Sequence, residues 1–323
     1  MDALISNIGL TFMYSTPIIV AALGGMYAER SGVTNIGLEG IMLVGAFVAA
    51  ALNVFLGASH PTGFYGSSII PWLCVIVAGI IGCIFSLIHA IASIKYNADQ
   101  TISGTALNFL AAGITVFLCQ VIYNQQRTPM FSNDFIKIKL PETDIPVLAQ
   151  VRDLICSTYS PFILALILVI VSSFIMKKTK FGLRLRACGE YPQAAASMGV
   201  SVLKMRYIGV LLSGLLAGIA GGIMVLTVDT QFTAGTIHGF GFIAIATLIF
   251  GKWKAWGVML AGLFFGFSNV IATFANNFDI FKNMPPEIFF MLPYVLTILA
   301  LVITSGKSGA PKAVGEIYDE SKR

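Results

Sequence analysis

Residues 206–228 read RYIGVLLSGLLAGIAGGIMVLTV, and no charged side chain follows Arg206 until Asp229. A helix rises about 1.5 Å per residue, so roughly 20 apolar residues cross the hydrocarbon layer of a bilayer. This stretch is long enough. Lipid offers the backbone no water to bond, so each crossing segment must satisfy its own N–H and C=O groups as a helix. A membrane barrel would alternate polar and apolar residues, and this run does not. Gly214, Gly218 and Gly222 recur at every fourth position, giving a stripe on which a second helix packs closely, and Gly262 and Gly266 repeat it.

Working outward from 206–228, comparable apolar runs cover roughly 7–28, 36–56, 69–94, 101–123, 159–176, 239–251, 255–275 and 287–305. The expected fold is all-α, a polytopic membrane protein of about nine transmembrane helices, with eight to ten tolerable. Composition agrees. Of the 323 residues, 57% are hydrophobic and only 11% charged, with mean hydropathy +0.85, whereas a soluble domain carries about a quarter charged residues.

The direction of the spans follows from the basic residues. Lys177, Lys178, Lys180, Arg184, Arg186, Lys204 and Arg206 crowd the stretch before and into 206–228, and positive loops stay in the cytoplasm. Counting outward places Arg30, Lys95, Lys252, Lys254, Lys307, Lys312, Lys322 and Arg323 on the same side. Only Arg127, Lys137, Lys139, Arg152 and Lys282 fall outside. The N-terminus is therefore expected outside and the C-terminus in the cytoplasm. No basic residue precedes Arg30, so the first apolar stretch is expected to persist as a spanning helix rather than a cleaved signal. The net charge of +5 lies beside apolar segments and gives no reason to expect nucleic acid as a partner. The chain reads as one transmembrane domain, 1–323, with pseudo-halves 1–123 and 159–305, an outer loop 124–158 and a cytoplasmic loop 177–205. The outer loop is either a linker or a docking surface for an external partner.

Two polar, glycine-rich interruptions matter most. Glu29 to Gly40 separates two apolar spans. Thr233 to Phe242 leads into an apolar run of only about 12 residues, too short to cross. Both read as broken or re-entrant helices, whose exposed ends present N–H or C=O groups to a polar solute. Along this pathway Asn35, Glu39, Asn108, Phe240 and Phe242 are the candidate residues. Glu39 either pairs structurally, with Arg30 as the nearest partner, or meets solute. Asn108 either bonds helix to helix or lines the path. Phe240 and Phe242 either pack or stack on a flat ring.

No catalytic constellation stands out. Cys74, Cys83, Cys119, Cys156 and Cys188 are scattered without CxxC spacing, and His60, His89 and His238 are isolated. No metal site or disulfide framework is expected. Gly306-Lys307-Ser308 fails as a phosphate-binding loop, because Leu301 stands where its first glycine is required. The chain is thus expected to be no enzyme, with any ATP bound elsewhere.

The segment Phe181 to Val200 is too polar to span and is alanine-rich beyond Pro192. Either a short helix lying along the cytoplasmic face or a solvated connector is expected; proline suits a first helical turn and Gln193 to Met198 favour helix. Within it, Gly189-Glu190, Pro192, Ala194-Ala195 and Gly199 resemble the coupling-helix loop of ATP-binding-cassette importer permeases. Arg30 to Met42 is similar to a signature of the branched-chain amino acid and simple-sugar permease family, in its nucleoside branch, and Gly239 to Ala246 resembles that branch's later motif. Tyr191-Pro192-Gln193 displaces the family's alanine pair from the glutamate.

The resemblance implies a translocation subunit for guanosine or other nucleosides in a bacterial plasma membrane. Its partners would be a cytoplasmic ATPase carrying ATP and Mg, a second, paralogous permease and an extracellular solute-binding lipoprotein. It assigns coupling to Gly189, Glu190, Ala194, Ala195 and Gly199. A permease for ribose or another simple sugar is the first alternative. An ion-coupled secondary transporter is the second, disfavoured because Glu39 is the one serious intramembrane carboxylate.

Overall fold

The computed structural model describes residues 2–59, 66–131, 135, 160–274 and 309–319, with the single positions 291, 295 and 298. Among them every regular element is a helix: α1 (Asp2–Arg30), α2 (Leu38–Ser59), α3 (Gly66–Ala90), α4 (Gln100–Tyr123), α5 (Ser160–Lys178), α6 (Lys180–Glu190), α7 (Pro192–Ser197), α8 (Val202–Thr227), α9 (Phe240–Phe250) and α10 (Ala255–Phe274). A π-helical turn, Ile91–Lys95, continues α3. Seven helices, α1 to α5, α8 and α10, are long and apolar enough to cross a membrane. Of the other two expected spans, 239–251 is the 11-residue α9, and 287–305 falls almost wholly outside the described residues.

Helix α8 is the hub. It packs on α1, α2 and α3, and 72% of its spanning window is buried, against 22% for α4, which therefore lies at the periphery of the packed helices. The glycine stripe makes this approach possible. A Cβ at Gly218 would collide with the Ala78 carbonyl of α3, and one at Gly214 with the Ser86 hydroxyl. Gly262 and Gly266 let α10 close on Ile19 and Ser15 of α1 in the same way.

The basic segment 177–205 holds two helices where one was expected. Thr179 caps the first, its hydroxyl accepting the Gly182 N–H at 3.1 Å. Pro192 opens the second and drives Tyr191 out of helical geometry, to φ −145° and ψ 84°, so the chain turns there. The segment that follows α4 begins by pairing with the strand-like approach to α9. Thr128 N–H donates to the Phe232 carbonyl at 3.1 Å, Phe131 N–H to that of Thr230 at 3.0 Å, and Arg127 bridges antiparallel to Thr233. The remainder of 124–158, Cys156 and the Gly306-Lys307-Ser308 segment lie outside the described residues.

Candidate functional site

Helix α9 is the element that cannot cross. Eleven residues span about 16 Å, half the hydrocarbon, so its ends must be satisfied inside the protein. At its N-terminus His238 and Gly239 both take positive φ, 49° and 81°, and turn the chain into the helix. There the Glu39 carboxylate accepts the Gly239 N–H at 3.0 Å and the Gly241 N–H at 2.7 Å. A carboxylate at a helix N-terminus meets unpaired donors and the positive end of the helix dipole together. The expected partner of Glu39, Arg30, is engaged elsewhere. Charge attraction within the first interruption yields to a bond between the two interruptions.

Phe240, Glu39's neighbour at this junction, is buried, with its ring 6.3 Å from that of Tyr14. Phe242 is half exposed. Asp229, between α8 and α9, has a buried carboxylate oxygen without a hydrogen-bond partner. Burial raises its carboxyl above the ordinary range, opposed by the nearby His238 charge and a hydrogen bond with Thr236. Tyr14 and Asp229 were not singled out by the sequence, where one aromatic in an apolar run and one acid at a helix end are both commonplace.

The two asparagines stitch the first interruption to neighbouring helices. Asn108 Oδ1 accepts the Gly40 N–H at 2.8 Å, and its Nδ2 donates to the Ile36 carbonyl at 3.1 Å. Asn35 Nδ2 donates to Ser213 Oγ at 2.9 Å, while its Oδ1 is buried without a partner. Two further residues complete the stitching: Gln100 Oε1 accepts the Thr34 N–H at 2.6 Å, and the His89 ring lies 3.0 Å from both the Thr34 carbonyl and Ser103 Oγ. His89 is a packed residue, fully buried between these two contacts.

The other end of α9 runs into a turn at Lys252 and Trp253, again with positive φ, 50° and 53°. Trp253 Nε1 donates to the Glu29 carboxylate, and the Arg30 guanidinium donates twice to the Trp253 carbonyl, at 3.1 and 3.3 Å. Arg30 also lies 3.6 Å from Glu190 at the end of α6. One side chain thus touches both the half-helix and the loop that holds α6 and α7.

The loop sorts its candidate residues into two sets. Gly189 is buried, with no room for a Cβ beside the Arg30 carbonyl, and Ala195 is buried against Cys188 and Val202. Ala194 and Gly199 are exposed and Glu190 is partly so. The sequence reading passed over Met198, the most exposed large apolar residue here at 85%. A C-terminal strap, residues 309–319, closes over the loop: Ala313 N–H donates to the Gly189 carbonyl at 2.9 Å, Gly315 N–H to that of Gly32 at 3.3 Å, and Arg206 Nη1 to that of Glu316 at 2.8 Å. Lys312 donates to the Tyr191 hydroxyl, which raises the lysine pKa. Burial lifts the Cys188 thiol to about 11, leaving it inert at neutral pH.

The chain is similar to known proteins along nearly its whole length. The guanosine ABC transporter permease protein NupQ of Bacillus subtilis (strain 168) is 46% identical over 314 residues, 97% of this chain and 96% of its own. The nucleoside ABC transporter permease protein NupC of Lactococcus lactis subsp. cremoris (strain MG1363) is 39% identical over 96% of this chain and 95% of its own. The guanosine ABC transporter permease protein NupP of the same Bacillus strain is 29% identical over 92% and 81%. No solved structure matches. The family described as branched-chain amino acid transport system, permease component, matches residues 7–301, and this chain belongs to it.

Proposed function

We propose that this chain is the translocation subunit of an ATP-binding-cassette importer for nucleosides, working with a separate ATPase and a solute-binding lipoprotein. The observation that carries the reading is its 46% identity, across 97% of its length, to a guanosine permease. The presence of two guanosine permeases, NupP and NupQ, in one Bacillus strain supports a paralogous partner permease. Their bacterial origin supports placement in a bacterial plasma membrane, with the basic α5–α8 connection in the cytoplasm, the N-terminus outside, and nine spans in two pseudo-halves.

In this reading the exposed Ala194, Gly199 and Glu190 meet the ATPase, and the buried Gly189 and Ala195 seat the loop that presents them. ATP and Mg sit on that partner. Asn35, Glu39, Asn108, Phe240 and Phe242 belong to the solute pathway, with Glu39 and Phe240 nearest the α9 junction. Closure of the ATPase pair moves α6 and α7, and the Arg30 contacts to Glu190 and Trp253 carry that movement to α9. Different affinities of the two conformations for solute and ATP drive transport.

The test is ATP-dependent uptake of a radiolabelled nucleoside panel, with ribose as competitor, in cells with and without the gene. Loss of nucleoside uptake alone supports the reading, and loss of ribose uptake moves the substrate to sugars. Uptake that survives ATP depletion but fails without an ion gradient overturns it.

A further inference from the structure

A cavity of about 280 Å³ opens between the cytoplasmic ends of α1, α5, α6 and the start of α10. Four cationic side chains line it, Arg30, Lys177, Arg186 and Lys254, together with the rings of Trp253 and Trp256. No carboxylate lines it. Glu190 neutralises part of Arg30, and Glu29 is bonded to the Trp253 indole. Among the described residues, no acid pairs with Lys177, Arg186 or Lys254.

Like charges gathered around one concavity repel, and an arrangement of this kind is stable when an anion occupies it. We infer that the cavity binds the phosphate diester of an anionic phospholipid headgroup. Phosphate chemistry suits the donors: guanidinium and ammonium groups bond its oxygens directly, and the volume is close to the lower range of small-ligand sites. The surroundings favour a lipid over a soluble phosphate. Phe174 on α5 and Leu260 and Phe264 on α10 are exposed apolar residues on two of the helices that flank the opening, a surface suited to acyl chains. Trp256, about half exposed at the foot of α10, is the amphipathic ring that settles at headgroup depth. Basic pockets between spanning helices on the cytoplasmic side are where anionic headgroups bind. Because Arg30 reaches both this cavity and Glu190, the bound lipid would reinforce the junction that joins α1 to the cytoplasmic loop.

The experiment is native mass spectrometry of the purified importer complex, released from micelles containing equal phosphatidylglycerol and phosphatidylcholine. Wild type should retain phosphatidylglycerol preferentially. Each of Lys177→Gln, Arg186→Gln and Lys254→Gln should weaken retention about five-fold, near 1 kcal/mol per interfacial cation, while Lys204→Gln, outside the cavity, leaves it unchanged. Lys177→Arg with Lys254→Arg keeps the charge and should keep the lipid, which separates lost binding from misfolding. Equal retention of both lipids by wild type overturns the inference. Displacement of phosphatidylglycerol by millimolar inorganic phosphate reassigns the site to a soluble ligand. Unchanged lipid with loss of the ATPase subunit in the glutamine variants reassigns it to a protein carboxylate. Nucleoside uptake plays no part in these readouts, so the lipid site fails or stands apart from the substrate.

Discussion

The carboxylate of Glu39 lies 2.7 Å from the backbone nitrogen of Gly241 and occupies the space a side chain there would need. A Cβ at Gly241 would stand 2.5 Å from Glu39 Cα, 2.6 Å from its nitrogen and 2.7 Å from its carboxylate oxygen. Two of those atoms are backbone and cannot swing aside. Gly241→Ala should therefore displace the start of α9 and reduce nucleoside uptake more than about ten-fold, since a misplacement near 1 Å at a positioned site costs far more than the contact itself. Glu39→Ala leaves two helix-end donors without their acceptor, a loss of about 2 kcal/mol. Both variants should still reach the membrane. Wild-type uptake by Gly241→Ala, measured at matched expression, would rule out a fixed α9 entrance.

At the opposite end of α9, Glu29 and Trp253 form a bond between two buried side chains separated by 224 positions. Removing one partner strands the other, at a cost of about 1–3 kcal/mol, whereas replacing both with apolar groups is nearly neutral. Trp253→Phe should lower the melting midpoint of the purified complex, and Glu29→Met added to it should recover most of the loss. A double variant no more stable than Trp253→Phe alone would mean that ring packing, rather than the hydrogen bond, holds this corner.

These two junctions mark the limit of what the sequence discloses. Apolar length alone places α1 to α5, α8 and α10, because lipid permits few alternatives. The shortness of α9 was equally plain from the run after Gly239, as was the helix opened by Pro192. Helix α6 was missed although Thr179 is a good cap, since the density of lysine and arginine there suggests a solvated connector. The partner of Glu39 lay beyond reach for a different reason. Within one sequence Arg30 is nine positions away and Gly241 two hundred and two, and nothing local states that backbone donors of a distant half-helix will compete better than a nearby cation. Asn35 and Asn108 were recognised as polar groups in the membrane, but their partners, Ser213 and the Ile36 carbonyl, follow only from helix packing.

Asp229 gives the N-terminal junction of α9 a pH dependence. Burial holds its carboxyl above the ordinary 3.8, with His238 and Thr236 opposing the shift. The unfolded chain then releases this proton at lower pH than the folded one, so as pH rises through that window the folded state binds more protons and loses stability. Asp229→Asn removes the titration. Its melting midpoint relative to wild type should rise as pH increases above about 4, the ordinary carboxyl value. A constant difference across that range would mean that the carboxyl titrates alike in both states.

Gly199 ends α7 with φ at +80°, its N–H bonded to the Ala196 carbonyl at 2.9 Å while the Val200 N–H reaches that of Ala195 at 3.1 Å. This is the left-handed cap on which short helices commonly stop. A Cβ there would meet nothing within 4 Å, so a substitution is opposed by backbone conformation alone and not by crowding. The cost should follow tolerance of positive φ: smallest for Gly199→Asn, about 1–2 kcal/mol for Gly199→Ala, and largest for the β-branched Gly199→Val. Met198 beside it is the most exposed apolar side chain of the loop, and a frayed cap would swing it away from the surface it presents. In proteoliposomes of the whole complex, ATP hydrolysed per nucleoside imported should rise in the order Asn, Ala, Val, with the amount of assembled complex little changed. A Gly199→Val complex that keeps the wild-type ratio would show that the cap geometry is irrelevant to coupling, and would shift attention to Glu190 and its contact with Arg30.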